Sequence, residues 1–342
     1  MMETTNTLIN KEVTPKKDTT LKYFIETYGC QMNVSDSEVV ASLLQKSGYS
    51  QTTDIKSADV IFLNTCAIRE KAEETVMNRL DSLHFLKRRN PNLLLGVLGC
   101  MAKNLKDILL ESRPYVDVIL GPDSYRRLPE ILDSRKTSNH FVDTKLSKFE
   151  VYDSLFPSRS EGINAWISIM RGCDKFCTFC IVPFTRGRER SRAIDGIVDE
   201  VENAVSKGFV EITLLGQNVN SYRTPEGNFS ELLAKVSDVK GVKRVRYTSP
   251  HPQDMTEDVL EVMGDRDNIC NYIHLPLQSG SDRILSRMNR TYTQKEFLNL
   301  VDRIHKYMPD CALSTDIIVG FPGESDSDFQ DTMSVVNTVN FN

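Results

Sequence analysis

From Leu21 to about residue 140 the chain alternates short, almost wholly apolar runs with longer stretches in which apolar residues recur at helical spacing. Leu21-Lys22-Tyr23-Phe24-Ile25-Glu26, Val60-Ile61-Phe62-Leu63, Leu93-Leu94-Leu95-Gly96-Val97-Leu98 and Val116 to Leu120 read as four strands. Between them, Val39, Val40, Leu43 and Leu44 stripe a helix ending at Gly48, and two more helices are expected over about 69–89 and about 103–111. Strands alternating with helices predict a parallel, doubly wound sheet, and strands this apolar fit burial on both faces.

A second series begins at Asn164. Its strands are read as Ala165–Met170, Val210–Leu215, Val242–Tyr247, Ile269–His274 and Cys311–Val319. The helices between and after them are Asp195–Lys207, Ser230–Val239, Thr256–Met263, Ser281–Met288, Gln294–Tyr307 and Ser325–Val339. Repeated βα units of this length predict a barrel or partial barrel, with its chemistry at the carboxyl ends of the strands. Between Ser134 and Gly162 the apolar residues lose their period and Ser, Lys, Arg, Asp and Glu dominate, which predicts a surface connection. The divisions drawn are a disordered tail over 1–20, a first domain over 21–140, a linker over 141–163 and a second domain over 164–342.

The length of 342 residues and the 40% apolar content suit two domains with real cores. No apolar run is long enough to span a bilayer. The Thr- and Lys-rich first twenty residues, carrying Glu3, Glu12 and Asp18, read as neither a secretory signal nor a transit peptide, so a cytoplasmic location is expected. The net charge of −5 does not advertise a nucleic-acid binder, although binding responds to local patches and not to totals. Eight cysteines in a chain of this kind argue for metal ligation over disulfides.

Three of those cysteines, Cys173, Cys177 and Cys180, fall within eight residues directly after the first strand of the second series. Thiolates so spaced can wrap one corner of a cubic iron–sulfur cluster and leave the fourth iron open to a small molecule. Structural zinc is the weaker reading because it wants a fourth Cys or His and the nearest downstream His is His251. Three core thiols are a poorer one still, since Asp174, Lys175 and Thr178 make the loop polar. Cys30, Cys66 and Cys100 each follow a strand of the first series, at spacings of 36 and 34 residues. Successive parallel strands deliver their carboxyl ends to one sheet edge, so these thiols should converge on a second three-cysteine site. Cys270 and Cys311 stand at strand beginnings on the opposite rim and read as core thiols.

Other candidates flank these sites. Gly29, Gly99 and Gly121 permit close backbone approach, while Asn33 and Asn64 either orient a bound group or are ordinary turn residues. The strand ends of the second series carry Gly216-Gln217-Asn218, Ser249-Pro250-His251-Pro252, Pro276-Leu277-Gln278-Ser279-Gly280 and Gly320-Phe321-Pro322-Gly323-Glu324. His251 and His274 are either polar contacts in that mouth or hydrogen-bonded structural histidines. Arg186, Arg188, Arg190 and Arg192, alternating along the chain with one opposing Glu189, suit phosphate contacts, the competing reading being a solvated charged face.

The spacing of Cys173, Cys177 and Cys180, with aromatic Phe179 just before the last, resembles the signature of the radical S-adenosylmethionine (SAM) enzymes. Two cluster sites, one on a flavodoxin-like domain and one on a radical-SAM barrel of the TIM type, are similar to those of the methylthiotransferase family over nearly the whole chain from Tyr23 onward. Tyr28-Gly29-Cys30-Gln31-Met32-Asn33 and the run from Cys173 to Gly187 most resemble the branch acting on prenylated adenosine beside the anticodon of tRNA. The resemblance implies that Cys173, Cys177 and Cys180 hold a radical-generating 4Fe-4S cluster and that Cys30, Cys66 and Cys100 hold an auxiliary one. It further implies two uses of SAM, one to methylate a sulfur on the auxiliary cluster and one to generate the radical that removes hydrogen from C2 of the adenine. By position, Phe179, Gln217, Asn218, Ser249, Gln278 and Gly320 are candidates for SAM contacts, and the four arginines for tRNA contacts.

The partners implied are tRNA and a reductant such as flavodoxin or ferredoxin, with no membrane, for a monomeric enzyme. The family normally continues through a further barrel strand into a small RNA-binding TRAM domain, whereas this chain stops at Asn342. The expectation is therefore a barrel truncated before its last strand, still able to assemble both clusters but impaired in tRNA turnover. Two competing readings remain at this point. One is the same chemistry on threonylcarbamoyl-adenosine or on a ribosomal protein side chain, and the other is a noncatalytic iron–sulfur electron-transfer protein.

Overall fold

The computed structural model describes residues 20–67, 70–134, 140–159 and 162–342. All of the expected tail but Thr20, and the expected helix position Arg69, lie outside those residues. The first half is built from β1 (Lys22–Thr27), α1 (Gln31–Lys46), β2 (Ser50–Gln51), β3 (Val60–Thr65), α2 (Glu70–Arg89) and β4 (Leu94–Gly99). It continues with α3 (Cys100–Asn104), α4 (Lys106–Ser112), β5 (Val118–Leu120), α5 (Leu128–Asp133) and β6 (Phe141–Asp143). The strands form one six-stranded sheet in the order β2-β1-β3-β4-β5-β6, parallel throughout. Every residue of β3 and β4 is buried. Side chains alternate across a strand, so Phe62 packs with Val40, Leu44 and Leu98 on one face while Ile61 and Leu63 pack with Val97 and Met101 on the other. Each such side chain stabilises the fold by roughly 1.5–3 kcal/mol relative to an exposed one.

The second half opens with β7 (Asn164–Ser168), β8 (Met170–Arg171), α6 (Val182–Thr185), β9 (Arg190–Ser191), α7 (Ile194–Ser206) and β10 (Glu211–Leu215). A small hairpin of β11 (Arg223–Thr224) and β12 (Gly227–Asn228) leads into α8 (Phe229–Asp238), β13 (Arg244–Tyr247), α9 (Glu257–Gly264) and β14 (Tyr272–His274). Then come α10 (Asp282–Arg287), α11 (Gln294–Tyr307), β15 (Ala312–Ser314) and α12 (Asp326–Val339). Helices α8, α11 and α12 each begin with a capping box, Asn228 with Glu231, Thr293 with Glu296 and Ser325 with Asp328, so free backbone N–H groups are satisfied where each helix starts. β7, β10 and β13 pair in parallel. A bridge from Val245 to Ile269 continues the series to β14, which pairs in parallel with β15. These strands form an open, barrel-like wall around one apolar core that includes Ile167, Leu214, Val245, Ile273 and Leu313.

Several boundaries differ from the sequence expectation for local reasons. The helix expected over about 103–111 starts instead at Cys100 and breaks at Leu105, whose backbone (φ −109°, ψ 22°) leaves the helical region. The strand expected over Ile269–His274 is interrupted because Tyr272 N donates back to Cys270 O at 2.8 Å. The segment read as a surface linker is partly structural: Phe141–Asp143 is the sixth strand, and Tyr152 and Leu155 are buried in the first core. Their isolated positions among charged residues leave no period to detect.

Candidate functional site

The loops after β1, β3 and β4 place Cys30, Cys66 and Cys100 around one cavity of about 190 Å³. Its other walls belong to the second half of the chain: Ile181 and Val182, directly after Cys180, together with Thr185, Arg186, Leu215 to Gln217, Thr248 and Ser249. The cavity therefore lies between the two domains. Asn33 lines it and is held by Asn64, for Asn33 Nδ2 donates to Asn64 Oδ1 at 3.3 Å and Asn64 Nδ2 donates to Asn33 O at 2.8 Å. Both are fully buried, so they tie the cysteine loops together. Gly29 (φ +116°) is required here, because a Cβ at that position would lie 2.5 Å from Cys66 Cβ. Cys30 is the N-cap of α1, and its thiol donates to Asn33 Oδ1 at 3.3 Å. The adjoining Cys66 thiol, the Arg186 charge and the N–H groups of Asn33 and Met32 outweigh burial and bring the Cys30 thiol down to about 5.

Cys173, Cys177 and Cys180 follow β8 in a loop held from two sides. Residues after α10 clamp it, since Thr178 N donates to Met288 O at 3.1 Å and Asn289 Nδ2 donates to Lys175 O and Phe176 O at 3.1 and 3.0 Å. From the barrel mouth, Asp254 pairs with Lys175 Nζ at 2.8 Å and accepts from Asn218 Nδ2 at 2.8 Å. Burial pushes the Cys173 thiol up to about 12 and raises Cys180 as well. N–H groups nevertheless point at these sulfurs: Lys175 N lies 3.5 Å from Cys173 Sγ and Arg290 Nη1 lies 3.5 Å from Cys177 Sγ.

This donor set fits iron–sulfur clusters. Both groups consist of thiols alone, and among the described residues no disulfide is formed and no set of His, Cys, Asp and Glu gathers tightly enough for a single metal ion. Donors aimed at ligand sulfurs are the surroundings by which a protein tunes such clusters.

The positions expected to contact SAM are distributed around the same mouth. Gln217 and Ser249 line the intercysteine cavity, and Gln217 Oε1 accepts from Gly172 N at 2.5 Å. Ser249 and Gln278 hold left-handed backbones at φ 58° and 65°, a strain that concentrates at functional sites. Gly320 N donates to the Glu324 carboxylate, and Phe179 is exposed. Asn218 is buried, its Oδ1 without a hydrogen-bond partner among the described residues. His251 is likewise buried, with Nδ1 accepting from Gln253 N at 3.2 Å, while burial and then the Arg290 and Lys175 charges lower its pKa to about 2. His274 is half-buried against Ser314 Oγ at 2.9 Å. Cys311 is buried in the barrel core, and Cys270 lines a groove at the opposite end with Lys243 and Arg244.

The arginine run corrects the sequence reading. Arg186, Arg190 and Arg192 are buried in ion pairs instead of standing exposed to bind phosphate, and Arg186 lines the cavity of Cys30, Cys66 and Cys100. Arg186 Nη2 donates to Asp36 Oδ2 at 2.9 Å, Arg190 Nη2 to Asp123 Oδ1 at 3.0 Å, and Arg192 Nη1 to Glu200 Oε2 at 2.7 Å. Arg188 alone is open, with 70% of its side chain exposed, stacked over Phe176 at 5.1 Å and paired with Asp174 at 3.0 Å. Alternate residues share a face only along a strand, and this run crosses from the end of α6 into β9. Arg171, not singled out from the sequence, completes the interface by donating to Asp36 Oδ1 at 2.8 Å and lying 4.8 Å over the Tyr152 ring.

Two family models match the chain: "Uncharacterized protein family UPF0004" over residues 22–121 and the radical SAM superfamily over residues 167–336. The tRNA-2-methylthio-N(6)-dimethylallyladenosine synthase of Christiangramia forsetii is 48% identical over 96% of this chain and 72% of its own length. The chain belongs to this synthase family. The synthases of Bacteroides fragilis and Amoebophilus asiaticus are similar at 48% and 47% identity, each again with 72% of its length covered. Among solved structures, the radical SAM methyltransferase TsrM of Kitasatospora setae superposes with a TM-score of 0.70 at 14% identity, over 94% of this chain and 72% of that one. The cobalamin-dependent radical SAM enzyme OxsB gives 0.66 at 13%, over 93% of this chain and 52% of that one. At such identities the likeness is one of fold, an α/β domain followed by a radical-SAM domain.

Residues that sequence reasoning missed, Asp36, Asp123, Asp254 and Arg290, share one property. Each acts through a partner distant in the chain, as with Arg290 and Cys177, 113 residues apart.

Proposed function

We propose that this chain methylthiolates C2 of N6-dimethylallyladenosine next to the anticodon of tRNA, using two SAM molecules and sulfur from an auxiliary iron–sulfur cluster. The observation that carries the reading is the interdomain cavity in which Cys30, Cys66 and Cys100 face residues directly following Cys180. In this reading Cys173, Cys177 and Cys180 hold one 4Fe-4S cluster and Cys30, Cys66 and Cys100 the other. The group held by Cys173, Cys177 and Cys180 would supply reducing electrons for radical chemistry on SAM, and that held by Cys30, Cys66 and Cys100 would supply the sulfur. An aromatic C–H bond offers no acidic proton to a side-chain base, so the protein's part is to bind, orient and keep water out.

The chain's own residues are arranged for that part. Gln217 and Ser249 stand in the wall of the cavity that holds Cys30, Cys66 and Cys100 and, with Phe179, Asn218, Gln278 and Gly320, are assigned to SAM. Arg188 is assigned to the tRNA backbone, being an exposed cation beside the radical-site loop. A monomer reduced by a flavodoxin or ferredoxin in the cytoplasm is the working context, and no helix among the described residues is long and apolar enough to cross a membrane.

The test is mass spectrometry of tRNA after anaerobic incubation with SAM and reductant, using prenylated and unprenylated tRNA in parallel. A methylthio product on the prenylated tRNA alone, with 5′-deoxyadenosine released, is expected. A product on threonylcarbamoyl-adenosine instead would move the assignment to a sibling substrate. Redox cycling with no 5′-deoxyadenosine would leave an electron-transfer protein.

A further inference from the structure

Arg186 differs from its neighbours in the buried interface. Its Nη2 is spent on Asp36, but Nη1 is buried and meets no hydrogen-bond acceptor among the described residues. The residue is 3% exposed, and an unpaired guanidinium N–H at that depth costs on the order of 1–3 kcal/mol or more. The same side chain lines the cavity with Cys30, Cys66 and Cys100. Arg171 and Arg190 each also leave a buried Nε without a hydrogen-bond acceptor among the described residues, but neither lines the cavity and their terminal nitrogens are satisfied: Arg171 donates to Asp36 and Pro122 O, and Arg190 to Asp123, Arg186 O and Ser147 O.

Asp36 fixes the direction of the Arg186 fork. A guanidinium is planar and cannot lose its proton, so once Nη2 is anchored the other N–H groups are held in place. A cluster ligated by three thiolates is anionic and carries sulfur acceptors, and it is the acceptor chemistry that a buried, oriented cation in that cavity wants. We propose that Arg186 Nη1 donates a charge-assisted hydrogen bond to a sulfur of the auxiliary cluster, holding that cluster at the domain interface and stabilising its reduced, more negative state. The inference rests on the assignment of Cys30, Cys66 and Cys100 to that cluster. It also explains why a buried arginine beside three cysteines is oriented by a carboxylate that lies across the interface.

The experiment isolates the auxiliary cluster in this chain by replacing Cys173, Cys177 and Cys180 with Ala and reconstituting with iron and sulfide. In that background, the midpoint potential is compared between Arg186 and Arg186→Gln. Loss of the donor is expected to make reduction harder by about tenfold in the one-electron equilibrium, about 59 mV to lower potential. Should Arg186→Gln fail to fold, the same Cys173/Cys177/Cys180→Ala chain with Arg186 intact, labelled with 15N-guanidinium arginine, gives a second readout: pulsed electron paramagnetic resonance of the reduced auxiliary cluster is expected to show a 15N coupling. Iron bound with an unchanged potential, or a reduced cluster with no arginine 15N coupling, would overturn the role of Arg186 alone. No iron in the Cys173/Cys177/Cys180 variant would overturn the cluster assignment and this inference together.

Discussion

Asp36 Oδ1 lies 2.8 Å from Arg171 Nη1, linking α1 of the first domain to β8 of the second across 135 residues. The other oxygen, Oδ2, receives Arg186 at 2.9 Å. One carboxylate thus bridges two buried cations, each beside a different cysteine group: Arg171 precedes Cys173 by two residues, and Arg186 lines the cavity of Cys30, Cys66 and Cys100. Burial works against the charge of Arg171, and Asp36 outweighs it and keeps the guanidinium protonated. Removing one partner of a buried ion pair strands the other. Asp36→Ala is therefore expected to lose about 3–5 kcal/mol, measured as a fall in the denaturant midpoint of the apoprotein.

Arg188 and Arg190 are two residues apart and should behave oppositely. Arg188→Ala is expected to change stability by less than about 0.5 kcal/mol, while weakening tRNA binding and reducing its salt slope by about 1. Arg190→Ala leaves buried Asp123 short of a partner, and a stability loss comparable to that of Asp36→Ala should appear. Thermal melts and binding titrations over a range of salt separate the two. Equal effects on both readouts would restore the reading of a single arginine face.

Glu38 provides a pH signature of the same interface. It pairs with Arg159 at 3.0 Å, which also meets Glu200 at 2.6 Å. Burial, reinforced by the Glu200 charge and opposed by Arg159, lifts the Glu38 carboxyl to about 7 from an ordinary 4.5. The folded state then binds a proton that the unfolded chain releases, so this contribution to stability is complete below pH 4.5 and is lost as pH rises through 7. Glu38→Gln should flatten that fall, which amounts to on the order of 3 kcal/mol, in melting temperatures recorded across the window.

Gly29 and Gly48 form an internal control. Both have positive φ, +116° and +83°, but a Cβ on Gly29 would meet Cys66 while one on Gly48 would meet nothing within 4 Å. Each Gly→Ala change costs roughly 1–2 kcal/mol in backbone strain. Only Gly29→Ala is expected to lower iron bound at the first-domain site, read as iron per chain after reconstitution.

What was legible in the sequence was whatever repeats locally. The all-apolar runs of β3 and β4 announced a sheet buried on both faces, and the phase of Cys30, Cys66 and Cys100 against the strands announced their common cavity. The interface was not legible. Arg186, Arg190 and Arg192 read as a charged stripe because their partners, Asp36, Asp123 and Glu200, lie on other elements. The same holds for Tyr152, isolated in a charged segment, yet bonded through its hydroxyl to Pro122 O at 2.8 Å and to Tyr125 N at 3.0 Å.

The central claim is that one chain holds two separate iron–sulfur sites, one at Cys30, Cys66 and Cys100 in the interdomain cavity and one in the loop of Cys173, Cys177 and Cys180. Its most direct measurement is iron and acid-labile sulfide per chain after anaerobic reconstitution, for the parent and for two triple Cys→Ala variants, one at Cys30/Cys66/Cys100 and one at Cys173/Cys177/Cys180. Two four-iron clusters predict about eight irons in the parent and about four in each variant. A Cys30/Cys66/Cys100 variant that keeps all the parent's iron would contradict the account, leaving one cluster and a first domain with no sulfur to give.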